Sequence, residues 1–143
     1  MLSQRSKTPA AIVAAAAILF VSEPASRAQT AANGLQVDLV RQDESDCTNT
    51  TVPANPPSGT VSLNRGSDGN TTVKVAMTAS PDTTYHFFLK CVRQLGDIAT
   101  SDEGVGEAVF TFPTNATGAV YAFDTYPEGA PPGNKFQSVT VGF

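Results

Sequence analysis

The chain has 143 residues, 41% of them hydrophobic, and its formal net charge is −4. A chain of this length is typical of one domain, and its acidic charge disfavours nucleic acid, whose phosphates attract basic surfaces. With one histidine and two cysteines, it lacks the set of soft ligands that a structural zinc site requires. We therefore expect a single domain that carries no cofactor and has no nucleic-acid partner.

The first 28 residues have the three parts of a secretory signal peptide. Arg5 and Lys7 give a positive start, and the apolar run at 10–21 is too short for a membrane-spanning helix, which needs about 20 residues. Small residues precede a cleavage site after Ala28, which predicts residues 29–143 as the exported domain. The leader holds three basic residues and one acidic residue, so this domain has six Lys and Arg against twelve Asp and Glu. We expect a periplasmic, cell-surface or extracellular protein without membrane insertion.

The two cysteines favour a disulfide. Export brings Cys47 and Cys91 into an oxidising space, where two thiols of one domain pair unless the fold holds them apart. Closing a loop of this length stabilises a fold by about 4 kcal/mol in the chain-entropy model. The alternatives are two free thiols or half of a metal site.

From Leu35 onward, short runs alternate apolar and polar residues and are bounded by Gly, Pro, Asn or Asp, a pattern typical of β-strands. The link at 66–70, Gly-Ser-Asp-Gly-Asn, predicts a hairpin turn because Gly and Asn tolerate positive φ. No run shows convincing helical periodicity. The predicted strands are eight, at 35–41, 59–65, 71–79, 84–92, 95–100, 106–112, 119–126 and 135–143.

Short strands at spacings of about ten residues predict an all-β fold. We expect an antiparallel β-sandwich of about seven to eight strands, immunoglobulin-like or a related Greek key, with one disulfide. The Cys, Trp, Cys pattern of antibody domains is absent, because the chain contains no tryptophan.

The strand Thr84–Val92 contains the only histidine and one of the two cysteines. Side chains alternate along a strand, so the odd positions Tyr85, Phe87, Leu89 and Cys91 are predicted to face the core. His86 lies on the other face and cannot form a catalytic pair with Cys91, because proton transfer requires hydrogen-bond reach. The candidate surface binding residues are His86, Phe88, Lys90, Tyr126 and Glu128, the last in a loop rich in proline and glycine.

We predict no catalytic residues, because the sequence has no Gly-x-Ser-x-Gly elbow and no phosphate-binding glycine loop. Calcium is the metal that the composition best permits, since it takes carboxylate and carbonyl oxygens. The expectation is nevertheless no metal, because the acidic loops do not have the EF-hand spacing. The weak calcium candidates are Asp43, Asp46, Asp102 and Glu103.

Residues 95–110, Leu-Gly-Asp-Ile-Ala-Thr-Ser-Asp-Glu-Gly-Val-Gly-Glu-Ala-Val-Phe, resemble a strand, turn and strand segment of secreted copper-zinc superoxide dismutases. That resemblance implies an antiparallel sandwich with one disulfide. It does not extend to activity, because the family's metal site uses several histidines and this chain has one. No site residue is carried over.

The leading hypothesis is a non-catalytic binding or structural role with an unknown protein or glycan partner. One alternative is a small secreted hydrolase that uses loop carboxylates, since glycosidases need only two such groups. A second is a small outer-membrane β-barrel, because the chain ends in Phe143 behind the alternating Val139 and Val141. Most predicted strands are shorter than the nine to eleven residues, roughly, that such a barrel needs.

Overall fold

The computed structural model describes residues 29–31, 34–44, 47 and 55–142. The predicted signal peptide at 1–28, the calcium candidate Asp46 and the terminal Phe143 lie outside these described residues. Within the described part, no helix has the length and apolarity needed to cross a membrane.

The described residues form eleven β-strands and one turn of 3-10 helix, Thr114–Ala116. The strands are β1 (Gln29–Ala31), β2 (Gly34–Arg41), β3 (Pro57–Arg65), β4 (Asn70–Thr78), β5 (Thr84–Leu89), β6 (Arg93–Ala99), β7 (Val105–Pro113), β8 (Val120–Tyr121), β9 (Phe123–Pro127), β10 (Phe136–Ser138) and β11 (Val141–Gly142).

Eight of the strands form one antiparallel path in the order β6-β5-β9-β10-β2-β3-β4-β7, to which β1 is added beside β2. β8 and β11 form a separate pair. The neighbours β4 and β7, β5 and β9, and β10 and β2 are distant along the chain, a connectivity typical of Greek-key folds. The predicted all-β antiparallel fold with one disulfide is confirmed.

The sheet curves until its end strands, β6 and β7, pack against each other, so it nearly closes on itself. Two glycines permit this close approach. A Cβ on Gly96 would lie 2.5 Å from Phe110 Cε1, and a Cβ on Gly106 would lie 2.8 Å from Ile98 Cγ2. Larger residues at either position would push the end strands apart.

Side chains on the inner face of the curved sheet form one core. Phe87 lies between the rings of Phe110 and Phe123, with centroid distances of 5.2 and 5.3 Å and interplanar angles of 12°. Phe87 and Phe123 are fully buried, and burial of each such side chain stabilises the fold by roughly 1.5 to 3 kcal/mol. The other buried core members are Val37, Leu39, Val61, Leu63, Val73, Val75, Met77, Tyr85, Leu89, Ile98, Phe112, Phe136 and Val141.

The predicted strand at 84–92 is three residues too long. β5 ends at Leu89, and the next residues form a turn in which the Val92 N–H donates to the Leu89 carbonyl oxygen at 2.9 Å. Cys91 has a φ of 59° and is exposed. The prediction that Cys91 faces the core is therefore wrong, whereas Tyr85, Phe87 and Leu89 are fully buried as expected.

Two other predicted strands are interrupted. Ala122 separates β8 from β9, and residues 139–140 separate β10 from β11. Ser138, the last residue of β10, links the two breaks, because its Oγ accepts from the Phe123 N–H at 3.0 Å and donates to the Val139 carbonyl oxygen at 2.8 Å. A serine hydroxyl thus satisfies one backbone donor and one backbone acceptor next to these breaks.

Candidate functional site

The outward side of β5 is flanked by β6 and β9. In the strand register, His86 pairs with Asp97 on one side and Tyr126 on the other. Phe88 pairs in the same way with Gln94 and Asp124. The adjoining residues of β5 and β9 are buried, so alternation places these side chains outward. We call this set the outer patch: His86, Phe88, Gln94, Asp97, Asp124 and Tyr126.

His86 lies between two carboxylates. Its Nδ1 is 2.7 Å from Asp97 Oδ1, and its Nε2 is 3.4 Å from Glu128 Oε2. Gln94 Nε2 donates a hydrogen bond to the same Asp97 oxygen at 2.7 Å. The hydrogen bond to Asp97 raises the pKa of His86 above its ordinary value, and Glu128 adds to the effect, whereas partial burial opposes it. Imidazolium is the form that this environment favours.

Phe88 and Tyr126 form the aromatic part of the outer patch. Their rings stack with centroids 4.8 Å apart and an interplanar angle of 18°. The His86 ring meets Phe88 edge-on, with centroids 6.5 Å apart. Both Phe88 and Tyr126 are only half-buried, so this stacked pair offers apolar surface to an incoming molecule.

Asp124 is the unusual ionisable group of the patch. Burial raises its pKa to about 6, although the charge of Lys90 partly opposes the shift. Its Oδ1 is buried and has no hydrogen-bond partner among the residues that the structure describes. Buried polar atoms are normally hydrogen-bonded, so the Asp124 carboxyl group has acceptor capacity that the fold leaves unused.

A pocket of about 270 Å³ lies over this region. It is lined by Phe88, Asp124 and Tyr126 and by Cys91–Gln94, which belong to the turn after β5 and the start of β6. The turn is held by the predicted disulfide, since Cys47 and Cys91 are bonded with their Cα atoms 5.6 Å apart. The disulfide prediction is confirmed, and the crosslink anchors Cys91, one of the residues that line the pocket.

The structure brings together most of the predicted surface residues. His86 contacts both Phe88 and Glu128, and Phe88 contacts Tyr126. Lys90 lies in the turn after β5, and its Nζ donates to Gln137 Oε1 at 2.9 Å. Whether these residues bind a ligand stays a prediction.

Sequence reasoning missed Gln94, Asp97 and Asp124. Alternation along Phe123–Pro127 carries a signal for Asp124, because it shares a face with Tyr126 two residues later. No comparable signal identifies Gln94 and Asp97, since their contact with His86 depends on the pairing of β6 with β5.

The calcium candidates do not form one site. Asp43 Oδ1 accepts from the Gly133 N–H at 2.8 Å, whereas Asp102 and Glu103 lie in the exposed turn between β6 and β7. Across the described ranges, no three His, Cys, Asp or Glu side chains are grouped so that they could hold a metal ion.

Comparison of the sequence with protein-family models and with curated proteins gives no match. The fold and the patch define a class: an antiparallel β-domain with one disulfide and a small pocket that combines stacked rings with a partly buried carboxyl group. Function must therefore be argued from the geometry of that pocket.

Proposed function

We propose that this chain is an exported, non-catalytic binding domain that holds one ring of an extracellular ligand in the pocket of the outer patch. The observation that carries the proposal is the composition of the pocket wall, where Phe88 and Tyr126 lie beside Asp124. Ligand sites combine apolar and aromatic surface with a few polar groups that set orientation. Drug-sized pockets span roughly 300 to 1,000 Å³, so a pocket of about 270 Å³ suits a single ring.

The disulfide supports the exported part of the proposal. Disulfides persist in secreted and periplasmic proteins and are rare in reducing compartments. The Cys47–Cys91 bond agrees with the signal-peptide pattern at the start of the chain, so the ligand is expected in the periplasm, at the cell surface or outside the cell.

The surroundings of His86 favour binding over catalysis. Both ring nitrogens face carboxylates, Asp97 at 2.7 Å and Glu128 at 3.4 Å. A general base that activates a hydroxyl or thiol needs that nucleophile within hydrogen-bond reach. Cys91, the nearest thiol residue along the chain, is consumed in the disulfide. His86 therefore acts here as a link between carboxylates.

A retention assay on immobilised polysaccharides and envelope fractions tests the proposal. The purified exported domain should be retained by at least one of these materials. Phe88→Ala and Tyr126→Ala should each reduce retention about tenfold or more, because each removes ring surface from the pocket. Val109→Ala is the matched control, since Val109 is an exposed apolar residue on β7. Retention that is equal in all four proteins would overturn the proposed site.

A further inference from the structure

We infer that the ring held in the outer patch is a neutral sugar residue, and that one of its hydroxyl groups donates a hydrogen bond to the carboxylate of Asp124. This inference rests on the proposed function, because it names the chemistry of the same pocket. It is carried by three observations: the unused acceptor, the local charges and the shape of the aromatic wall.

The Asp124 carboxyl group has an acceptor oxygen to which a ligand could donate a hydrogen bond. Asp124 Oδ1 is buried without a partner in the described part of the chain, and Asp124 also lines the pocket. The terminal torsion of an aspartate has a broad minimum, so the carboxyl group that borders the pocket can turn to present an oxygen to a bound molecule. A ligand hydroxyl then gives this carboxyl group a hydrogen bond that the described residues do not supply to its Oδ1.

The local charges favour a neutral donor over a cationic one. Lys90 is close enough to Asp124 to oppose the rise in its pKa, and Arg93 lines the pocket. An ammonium ligand would pair with the Asp124 carboxylate only against the repulsion of both of these cations, since like charges repel. An anionic ligand would face Asp124 without supplying a donor. A hydroxyl group supplies the donor and adds no charge.

The aromatic wall fits the apolar side of a sugar ring. Phe88 and Tyr126 are stacked on each other and half-buried, and Val92, which also lines the pocket, is 54% exposed. A pyranose has C–H groups that can pack on such surface and hydroxyl groups at its rim. The lining of the pocket includes groups for both kinds of contact, the rings of Phe88 and Tyr126 and the carboxyl group of Asp124.

Titration of the exported domain with methyl hexopyranosides tests the inference, with cyclohexylammonium as the cationic comparator. Amide shifts in an NMR spectrum report each affinity. At least one hexoside should bind, and it should bind more tightly than cyclohexylammonium. Asp124→Leu removes the acceptor and should weaken hexoside binding about tenfold or more. Asp124→Asn retains an acceptor oxygen and should weaken it less.

Glu107→Leu is the matched control, because Glu107 is an exposed acidic residue on β7, and it should bind hexosides as the unchanged domain does. Cyclohexylammonium binding in the pocket without hexoside binding would overturn the inference and leave the proposed function in place. Hexoside binding that Asp124→Leu leaves unchanged would also overturn it. If neither compound binds in the pocket and Phe88→Ala leaves retention unchanged, both the inference and the proposed function are wrong.

Discussion

His86 Nδ1 lies 2.7 Å from Asp97 Oδ1, and this pair connects β5 to β6 on the outward side of the sheet. The opposite ring nitrogen contacts Glu128 in the loop after β9. The His86 imidazole therefore links β5, β6 and the loop after β9, and its charge state decides how strongly it attracts the two carboxylates.

The first prediction concerns the pKa of His86, which should lie above 6.5 in the folded domain, chiefly because of the hydrogen bond to Asp97. NMR titration of the ring protons measures it directly. Asp97→Asn should lower the pKa, whereas Asp102→Asn in the exposed β6–β7 turn should not.

The sign for stability follows from the raised value. The contribution of His86 to the free energy of unfolding is complete at pH values below its pKa in the unfolded chain. It is lost as pH rises through the higher pKa of the folded state. A pKa that Asp97→Asn leaves unchanged would show that the 2.7 Å contact does not control the charge of His86.

The second prediction concerns Asp124, whose folded pKa of about 6 exceeds its ordinary 3.8. The folded state therefore holds the proton more tightly than the unfolded chain. The contribution of Asp124 to stability is complete below its ordinary pKa of 3.8, and it is lost as pH rises from 3.8 to about 6. Asp124→Asn should raise the free energy of unfolding near neutral pH, by at most about 3 kcal/mol.

Denaturant unfolding at two pH values tests this prediction. Below about pH 4, where the carboxyl group is protonated in the folded state, Asp124→Asn should change stability little. Asp102→Asn in an exposed turn serves as the control at both pH values. The raised pKa would be contradicted if Asp124→Asn stabilised the domain equally at both pH values, or if it lowered the free energy of unfolding near neutral pH.

The third prediction concerns the disulfide. The Cys47–Cys91 bond closes a sequence separation of 44 residues, so replacing both cysteines by serine should lower the free energy of unfolding by up to about 4 kcal/mol. Both residues are exposed, so a mild reductant should open the bond in the folded domain. Mass spectrometry after alkylation detects the opened thiols. If the Cys47–Cys91 bond resists reduction until the domain unfolds, the exposed position of these two cysteines is contradicted.

Much of the fold could be predicted because local rules agree with it. Asp68 and Gly69 form the predicted turn between β3 and β4, where Gly69 has a φ of 82° and the Asn70 N–H donates to Asp68 Oδ1. Alternation also identified the inward residues of β2 to β5. These features depend on neighbours along the chain, and the sequence displays them directly.

The remaining features depend on long-range pairing. Cys91 continues an alternating run, and nothing local shows that the strand stops at Leu89 and that Cys91 takes a positive φ in the turn. The contact of His86 with Asp97 requires the register of β5 and β6, which shifts between Phe87 and Phe88. Two of the six residues of the outer patch, Gln94 and Asp97, therefore could not be identified from single strands.

The fourth prediction concerns the place where the curved sheet nearly closes. Gly96→Ala should destabilise the domain by about 1 to 3 kcal/mol, because the added Cβ would lie 2.5 Å from the Phe110 ring. Gly118→Ala is the matched control, since a Cβ there meets no described atom within 4 Å. Chemical denaturation of both variants measures the difference, and equal stability would contradict the close packing of β6 on β7.

The most direct test of the account is a map of where a ligand binds. Amide shifts of residues 29–143, recorded with a hexoside or with a fragment of the retained polysaccharide, should change most in the outer patch and in the turn at Cys91. Saturating changes confined to these residues are the expected result. If the largest changes fall instead on the outward face of β4 and β7, around Lys74 and Val109, the pocket over Phe88 and Tyr126 is not the binding site.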